Sequence, residues 1–128
     1  MQSYVLDASA LLALLNQEPG CERVASCIAN GAVISTVNLC EVAAKLSDAG
    51  VPEEIIREAL SVLGISIVDF DALLAYDAGL LRPLTRQVGL SLGDRACLAL
   101  ARHLELPAVT TDKVWGTLSL GVVVQLIR

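Results

Sequence analysis

Five short apolar runs recur along the chain, and stretches with helical spacing separate each from the next. The runs are Tyr4-Val5-Leu6, Ala32–Ser35, Ile65–Val68, Ala108–Thr110 and Val122–Val124. They are largely continuous in apolar residues, as in strands covered on both faces. Between them, Leu11–Leu15, Cys21–Ala29, Val37–Ala49, Pro52–Leu63, Ala72–Leu81, Leu84–Val88 and Gly93–Leu104 read as helices. Gly50 supplies a C-terminal stop and Pro52 an N-terminal start. Strands alternating with helices predict an α/β fold, a three-layer α/β/α sandwich around a central parallel sheet of four or five strands. With 128 residues the chain has room for one core, so residues 1–128 form a single domain. No repeat, linker or low-complexity stretch interrupts it.

The side chains available narrow the chemistry. One Phe, one Trp and two Tyr leave Leu, Val, Ile and Ala to build the core, and they argue against nucleic-acid recognition by stacked rings. A formal charge of -5 argues against a basic nucleic-acid surface, so any contact with RNA needs cations to offset charge. Cys21, Cys27, Cys40 and Cys97 form no C-x-x-C pair and His103 is the lone histidine, which disfavours zinc. Asp7 interrupts the N-terminal apolar stretch and no basic start precedes it, unlike a signal peptide. No apolar run reaches the roughly 18 residues of a membrane span. The expectation is a cytoplasmic protein with reduced, mostly buried cysteines.

Four carboxylates stand out. Asp7 follows the first strand directly, and Asp112 follows Ala108–Thr110 with Thr111 between. Ligands of open parallel sheets bind outside the carboxyl ends of the strands, so the two can meet in one crevice. Each could equally cap the helix that follows. Asp94 completes a possible capping box, Ser91-Leu92-Gly93-Asp94. On a helical wheel it shares a side with Cys97, Leu98 and Ala101, where a lone carboxylate is costly unless paired or metal-bound. Arg95 and Arg102 form a neighbouring cationic stripe. Glu41 lies opposite the stripe Leu39, Val42, Ala43 and Leu46, beside Asn38, Lys45 and Asp48, and by the wheel alone reads as a solvated residue paired with Lys45. Asp69 and Asp71 read as turn and cap residues, and Glu53, Glu54 and Glu58 suit a helix start. With no phosphate-binding loop, no nucleophile elbow and one histidine, a carboxylate cluster remains, suited to a hard cation such as Mg²⁺ or Mn²⁺.

Three stretches in order resemble the PIN domain, and especially the VapC-type toxins. They are Tyr4-Val5-Leu6-Asp7-Ala8-Ser9-Ala10-Leu11-Leu12, Ser35-Thr36-Val37-Asn38-Leu39-Cys40-Glu41-Val42, and Leu92–Ala101 followed by Val109-Thr110-Thr111-Asp112. The resemblance covers nearly the whole chain. It implies that Asp7, Glu41, Asp94 and Asp112 are the acidic metal-site residues. Ser9, Asn38 and Thr110 fall where the family often carries small or polar residues beside the site. It implies a metal-dependent endoribonuclease that acts as the toxin of a type II toxin–antitoxin pair, with a small antitoxin as partner.

Converging carboxylates repel one another, and a bound cation relieves that cost. The expected reaction is hydrolysis of an RNA phosphodiester with Mg²⁺, or Mn²⁺, as cofactor. Asp7, Asp94 and Glu41 would hold one ion, and Asp112 a second ion or a water. Arg95, Arg102 and Lys113 are candidates for phosphate contacts, although each reads more readily as ordinary surface charge. Two rivals remain. An aspartate-nucleophile phosphatase would use Asp7, but usually has a second Asp where this chain has Ser9. A catalytically inactive interaction module would use the carboxylates as caps. The apolar content also suggests a homodimer.

Overall fold

The computed structural model describes residues 2–128. Five strands form one sheet: β1 (Tyr4–Leu6), β2 (Ala32–Ser35), β3 (Ser66–Val68), β4 (Ala108–Thr110) and β5 (Val124–Leu126). Their order is β3-β2-β1-β4-β5 and every pairing is parallel. The helices are α1 (Ala8–Leu15), α2 (Cys21–Ala29), α3 (Thr36–Asp48), α4 (Glu53–Ser61), α5 (Ala72–Leu80), α6 (Arg82–Thr85) and α7 (Leu92–Leu104). This is the expected sandwich.

Register and the two-residue repeat of a strand divide the core between two faces. Val5 lies beside Val33 and Ala108, and all three face the cluster built with α5 and α7. Leu6 lies beside Ile34 and Val109 and faces the other way. Leu6 and Val109 pack with Ala10 and Ala13 of α1 and Val24 and Cys27 of α2, while Ile34 packs with Leu11 and with Val42 of α3. Trp115, fully buried on the α5–α7 side, is the largest side chain in the core.

Several boundaries differ from the sequence reading. Helix α1 begins at Ala8 rather than Leu11, because the Asp7 side chain accepts the Ala10 N–H and closes the first turn early. The last strand runs from Val124 to Leu126, not Val122 to Val124. Leu120 and Val122 pack laterally on the core beside Trp115, and pairing starts only where the Ala108 N–H donates to the Val123 carbonyl. The segment Leu84–Val88 is a short helix that starts earlier, at Arg82, with Pro83 in its first turn, followed by a 3-10 turn at Arg86–Val88. Strand β3 omits Ile65 and lies at the sheet edge, so Ile67 is exposed. All four cysteines are free thiols. Cys27 and Cys97 are buried, but Cys21 is half-buried and Cys40 exposed, so burial holds for only two. Among the described residues no helix is long and apolar enough to cross a membrane.

Gly20, at the start of α2, has φ +95, and a Cβ there would lie 2.5 Å from the Ile127 carbonyl oxygen. This close approach ties α2 to the residue that follows β5. Gly20→Ala combines left-handed strain with a backbone clash, so it should cost about 2–4 kcal/mol. Urea unfolding of both proteins checks this, and an unchanged midpoint would contradict the packing.

Candidate active site

The strand order reverses between β1 and β4: the chain builds outward through β2 and β3, then returns to place β4 and β5 on the other side of β1. In open parallel sheets such a reversal leaves a crevice at the carboxyl ends of the strands. Asp7 leaves β1 at this point and Thr110 ends β4 beside it. The Asp7 N–H donates to the Val109 carbonyl, and the Thr110 hydroxyl donates to Asp7 Oδ2.

Asp7 is 4% exposed, and both of its oxygens are held. Oδ1 accepts from the Ala10 N–H at 2.8 Å and the Ser9 hydroxyl at 2.8 Å, and Oδ2 lies 2.9 Å from the same hydroxyl. Ser9 Oγ in turn accepts from the Thr111 N–H, and Thr110 Oγ1 from the Asp112 N–H. Asp7 is therefore a helix cap and a wall of the crevice at once; the two readings of this residue do not exclude each other.

Glu41 and Asp94 reach the same pocket from other elements. A cavity of about 220 Å³ is lined by Asp7, Ala8, Ser9, Leu12, Asn38, Glu41, Lys45 and Asp94. Glu41 is not the solvated half of a helical ion pair. Among the described residues it forms no salt bridge with Lys45, and its Oε1 accepts from Asn38 Nδ2 at 2.8 Å. The same Nδ2 donates to the Gly93 carbonyl at 3.0 Å, which joins α3 to the first turn of α7. Asp94 completes the capping box: it accepts from the Ser91 N–H at 3.0 Å while its own N–H donates to Ser91 Oγ at 3.1 Å.

Asp112 stands apart from this pocket. It is exposed, and its Oδ1 accepts from the Val114 N–H, capping the 3-10 turn Lys113–Thr117. Its link to the pocket is indirect, through Thr110. Of the cations, Arg95 is committed elsewhere, donating to the Ala78 carbonyl at the end of α5. Arg102 is half-buried and Lys113 exposed. Lys45 lines the pocket, a placement that sequence reasoning missed because the wheel put it on the solvated face with Glu41. Gly93 was also missed, although its small size beside Asp94 was a visible signal.

The pocket is strongly electronegative. Burial raises the Asp7 carboxyl to about 6 against the hydrogen bonds from Thr110, Ala10 and Ser9, and the Asp94 charge adds to the rise. Beneath it, burial pushes the Cys97 thiol well above its ordinary value, and Asp7, Asp94 and Glu41 push it further. Among the described residues no three acidic, histidine or cysteine groups form a ready-made metal cage. The donor set nevertheless suits a hard cation, which prefers oxygen. Asn38 is 1% exposed and its Oδ1 has no hydrogen-bond partner among the described residues. A buried carbonyl oxygen left unpaired costs about 1–3 kcal/mol, a cost set against the two bonds that Asn38 Nδ2 donates.

Asp7 also links stability to pH. The unfolded carboxyl loses its proton near 3.8 and the folded one near 6. Between these values the folded state binds more protons, so stability falls as pH rises through the window. In chelator, the wild type should lose roughly 2 kcal/mol relative to Asp7→Asn on going from pH 4 to pH 7. Thermal melts of both proteins across that range check this, and parallel pH profiles would contradict it.

The PIN domain family model matches residues 4–118. Among curated proteins no sequence match to the chain is found. Solved structures match over nearly the whole chain. DNA-bound VapBC from Salmonella typhimurium superposes with a TM-score of 0.79 at 17% identity, covering 100% of both chains. A toxin–antitoxin complex from Klebsiella pneumoniae gives 0.76 at 21%, covering 98% of each. The Sarcin-Ricin loop cleaving toxin VapC20 from Mycobacterium tuberculosis gives 0.74 at 18%, covering 90% of this chain and 94% of that one. At these identities the structures speak for the fold, and the family model speaks for descent: the chain belongs to the PIN domain family.

Proposed function

We propose that the chain is a Mg²⁺-dependent endoribonuclease, Mn²⁺ serving as an alternative, and that it acts as the toxin of a toxin–antitoxin pair. The observation that carries this reading is the convergence of Asp7, Glu41 and Asp94, from three separate elements, on one pocket at the sheet's reversal point. Family membership supports nuclease chemistry, and the toxin–antitoxin assemblies among the structural neighbours support the biological role.

Asp7, Glu41 and Asp94 would hold the cation. A cation bound there supplies a water activated for attack and charge to offset the phosphate. The chain's own groups do the positioning. Ser9, Thr110 and the Ala10 N–H fix the Asp7 carboxylate, so little freedom is lost when it binds. Asn38 fixes Glu41 in the same way. Lys45 lines the pocket wall and would meet an RNA phosphate there. Asp112 lies outside the pocket, so we assign it to steadying Thr110 and, when substrate is present, to a second ion or water. The phosphatase alternative has less support, because Ser9, bound to Asp7 through its hydroxyl, stands where that chemistry usually has a second aspartate to act as its general acid.

An exposed apolar stripe supports association. Leu73, Tyr76 and Leu80 of α5 and Leu84 of α6 follow one another at helical spacing and are 54–75% exposed. We assign this face to a homodimer, and the acidic pocket to a basic segment of a small antitoxin. Light scattering at micromolar concentration should show a dimer, and Leu80→Lys combined with Tyr76→Lys should shift it to monomer. A monomeric wild type would refute the assignment.

Asp7→Asn tests the catalytic reading. Asn caps a helix about as well as Asp, so a structural role predicts little change. It is a far poorer ligand for a hard cation, so Mg²⁺-dependent cleavage of RNA should fall at least 100-fold while the protein remains folded. Full activity in this variant would remove Asp7 from the site.

A further inference from the structure

The Glu41 carboxylate occupies space that any other residue at position 93 would fill. A Cβ built on Gly93 would lie 2.2 Å from Glu41 Oε2 and 2.4 Å from both Oε1 and the carboxyl carbon. Gly93 is the second residue of α7, in the first turn that also carries Asp94. It is buried, and its backbone is an ordinary helical one, so no unusual dihedral calls for glycine. Helix stability alone would prefer alanine at such a position. What requires glycine is contact across the pocket.

We propose that Gly93 is a positioning residue for the cation site: its missing side chain forms the notch in which Asn38 seats the Glu41 carboxylate. Two independent contacts meet there. Asn38 Nδ2 donates to both Glu41 Oε1 and the Gly93 carbonyl, so one amide fixes the carboxylate and the notch relative to each other. The Gly93 Cα then closes the far side of the carboxylate. Because Glu41 and Asp94 sit on different helices, their separation depends on how closely α3 approaches the first turn of α7. Gly93 sets that approach. A side chain at position 93 would push the Glu41 carboxylate out of the notch and break its bond to Asn38, since the far end of Glu41 yields more readily than the backbone.

The inference rests on the cation reading above, and its test separates the two. The variants are Gly93→Ala, Glu41→Asp, the two combined, and Gly79→Ala as a control, where an added Cβ meets open space. Mn²⁺ binding is followed by titration, folding by thermal melts in chelator, and the notch by the NMR signals of the Asn38 side-chain amide. Gly93→Ala should melt near wild type, shift the Asn38 signals and weaken Mn²⁺ roughly 10- to 100-fold, the range seen when residues orienting a ligand are lost. Shortening Glu41 in that background restores space, so the double variant should bind Mn²⁺ more tightly than the two single effects predict together. Gly79→Ala should match wild type in all three. Wild-type Mn²⁺ affinity or unmoved Asn38 signals in Gly93→Ala would overturn the proposal. If wild type itself binds no Mn²⁺, the cation reading fails; the Asn38 signals then decide whether Gly93 positions Glu41 at all.

Discussion

The hydrogen bonds around the Asp7 carboxylate hold the architecture of the site together. They join the end of β1, the first turn of α1 and the end of β4, three segments that meet only because the strand order reverses there. A carboxylate 4% exposed would be an expensive guest without those donors. With them it is tolerated, though burial still outweighs their effect on its proton affinity. The same group therefore caps a helix, locks two adjacent strands together and keeps negative charge ready at the pocket floor. Stability and the proposed cation chemistry draw on one side chain, and a trade-off between the two is common at functional sites.

Around that centre the remaining walls are set by contacts between helices. Asn38 ties α3 to α7, and Arg95 ties α7 to the end of α5 through the Ala78 carbonyl. Helix α7 is consequently anchored on both sides, with its apolar stripe of Cys97, Leu98, Leu100 and Ala101 packed on the sheet. The Asp94 carboxylate is held in a capping box at the start of this fixed helix, so its placement follows from packing far larger than the pocket itself.

Much of this was legible in the sequence because it depends on local pattern. The apolar runs marked the strands, and their alternation with helices set a parallel sheet. Asp7 and Asp112 were recognisable at strand ends. Other features depend on what lies opposite in space. A helical wheel treats Glu41 and Lys45 as solvent-facing, since it cannot show that α7 stands across from them. The last strand was displaced because Leu120 and Val122 are apolar for lateral packing rather than for pairing. Asp94 and Ser91 do form the capping box, so the structural reading of that motif was sound and the pocket was added to it. Cys40, apolar by composition, is exposed because it falls on the outer side of α3.

The strand order also has a consequence during synthesis. Asp7 emerges from the ribosome near the beginning and Thr110 near the end, 103 positions later. The first three strands can pair among themselves in the order β1, β2, β3, but one edge of β1 stays bare until β4 arrives to cover it. Until then the Asp7 carboxylate lacks its Thr110 donor and Glu41 lacks the far wall of its notch. A nascent or truncated chain thus presents scattered acidic residues on a half-built sheet, and the pocket comes into being only with the closing segments. Long-range closure of this kind is slow compared with local helix formation. The pocket is thus a property of the finished chain alone.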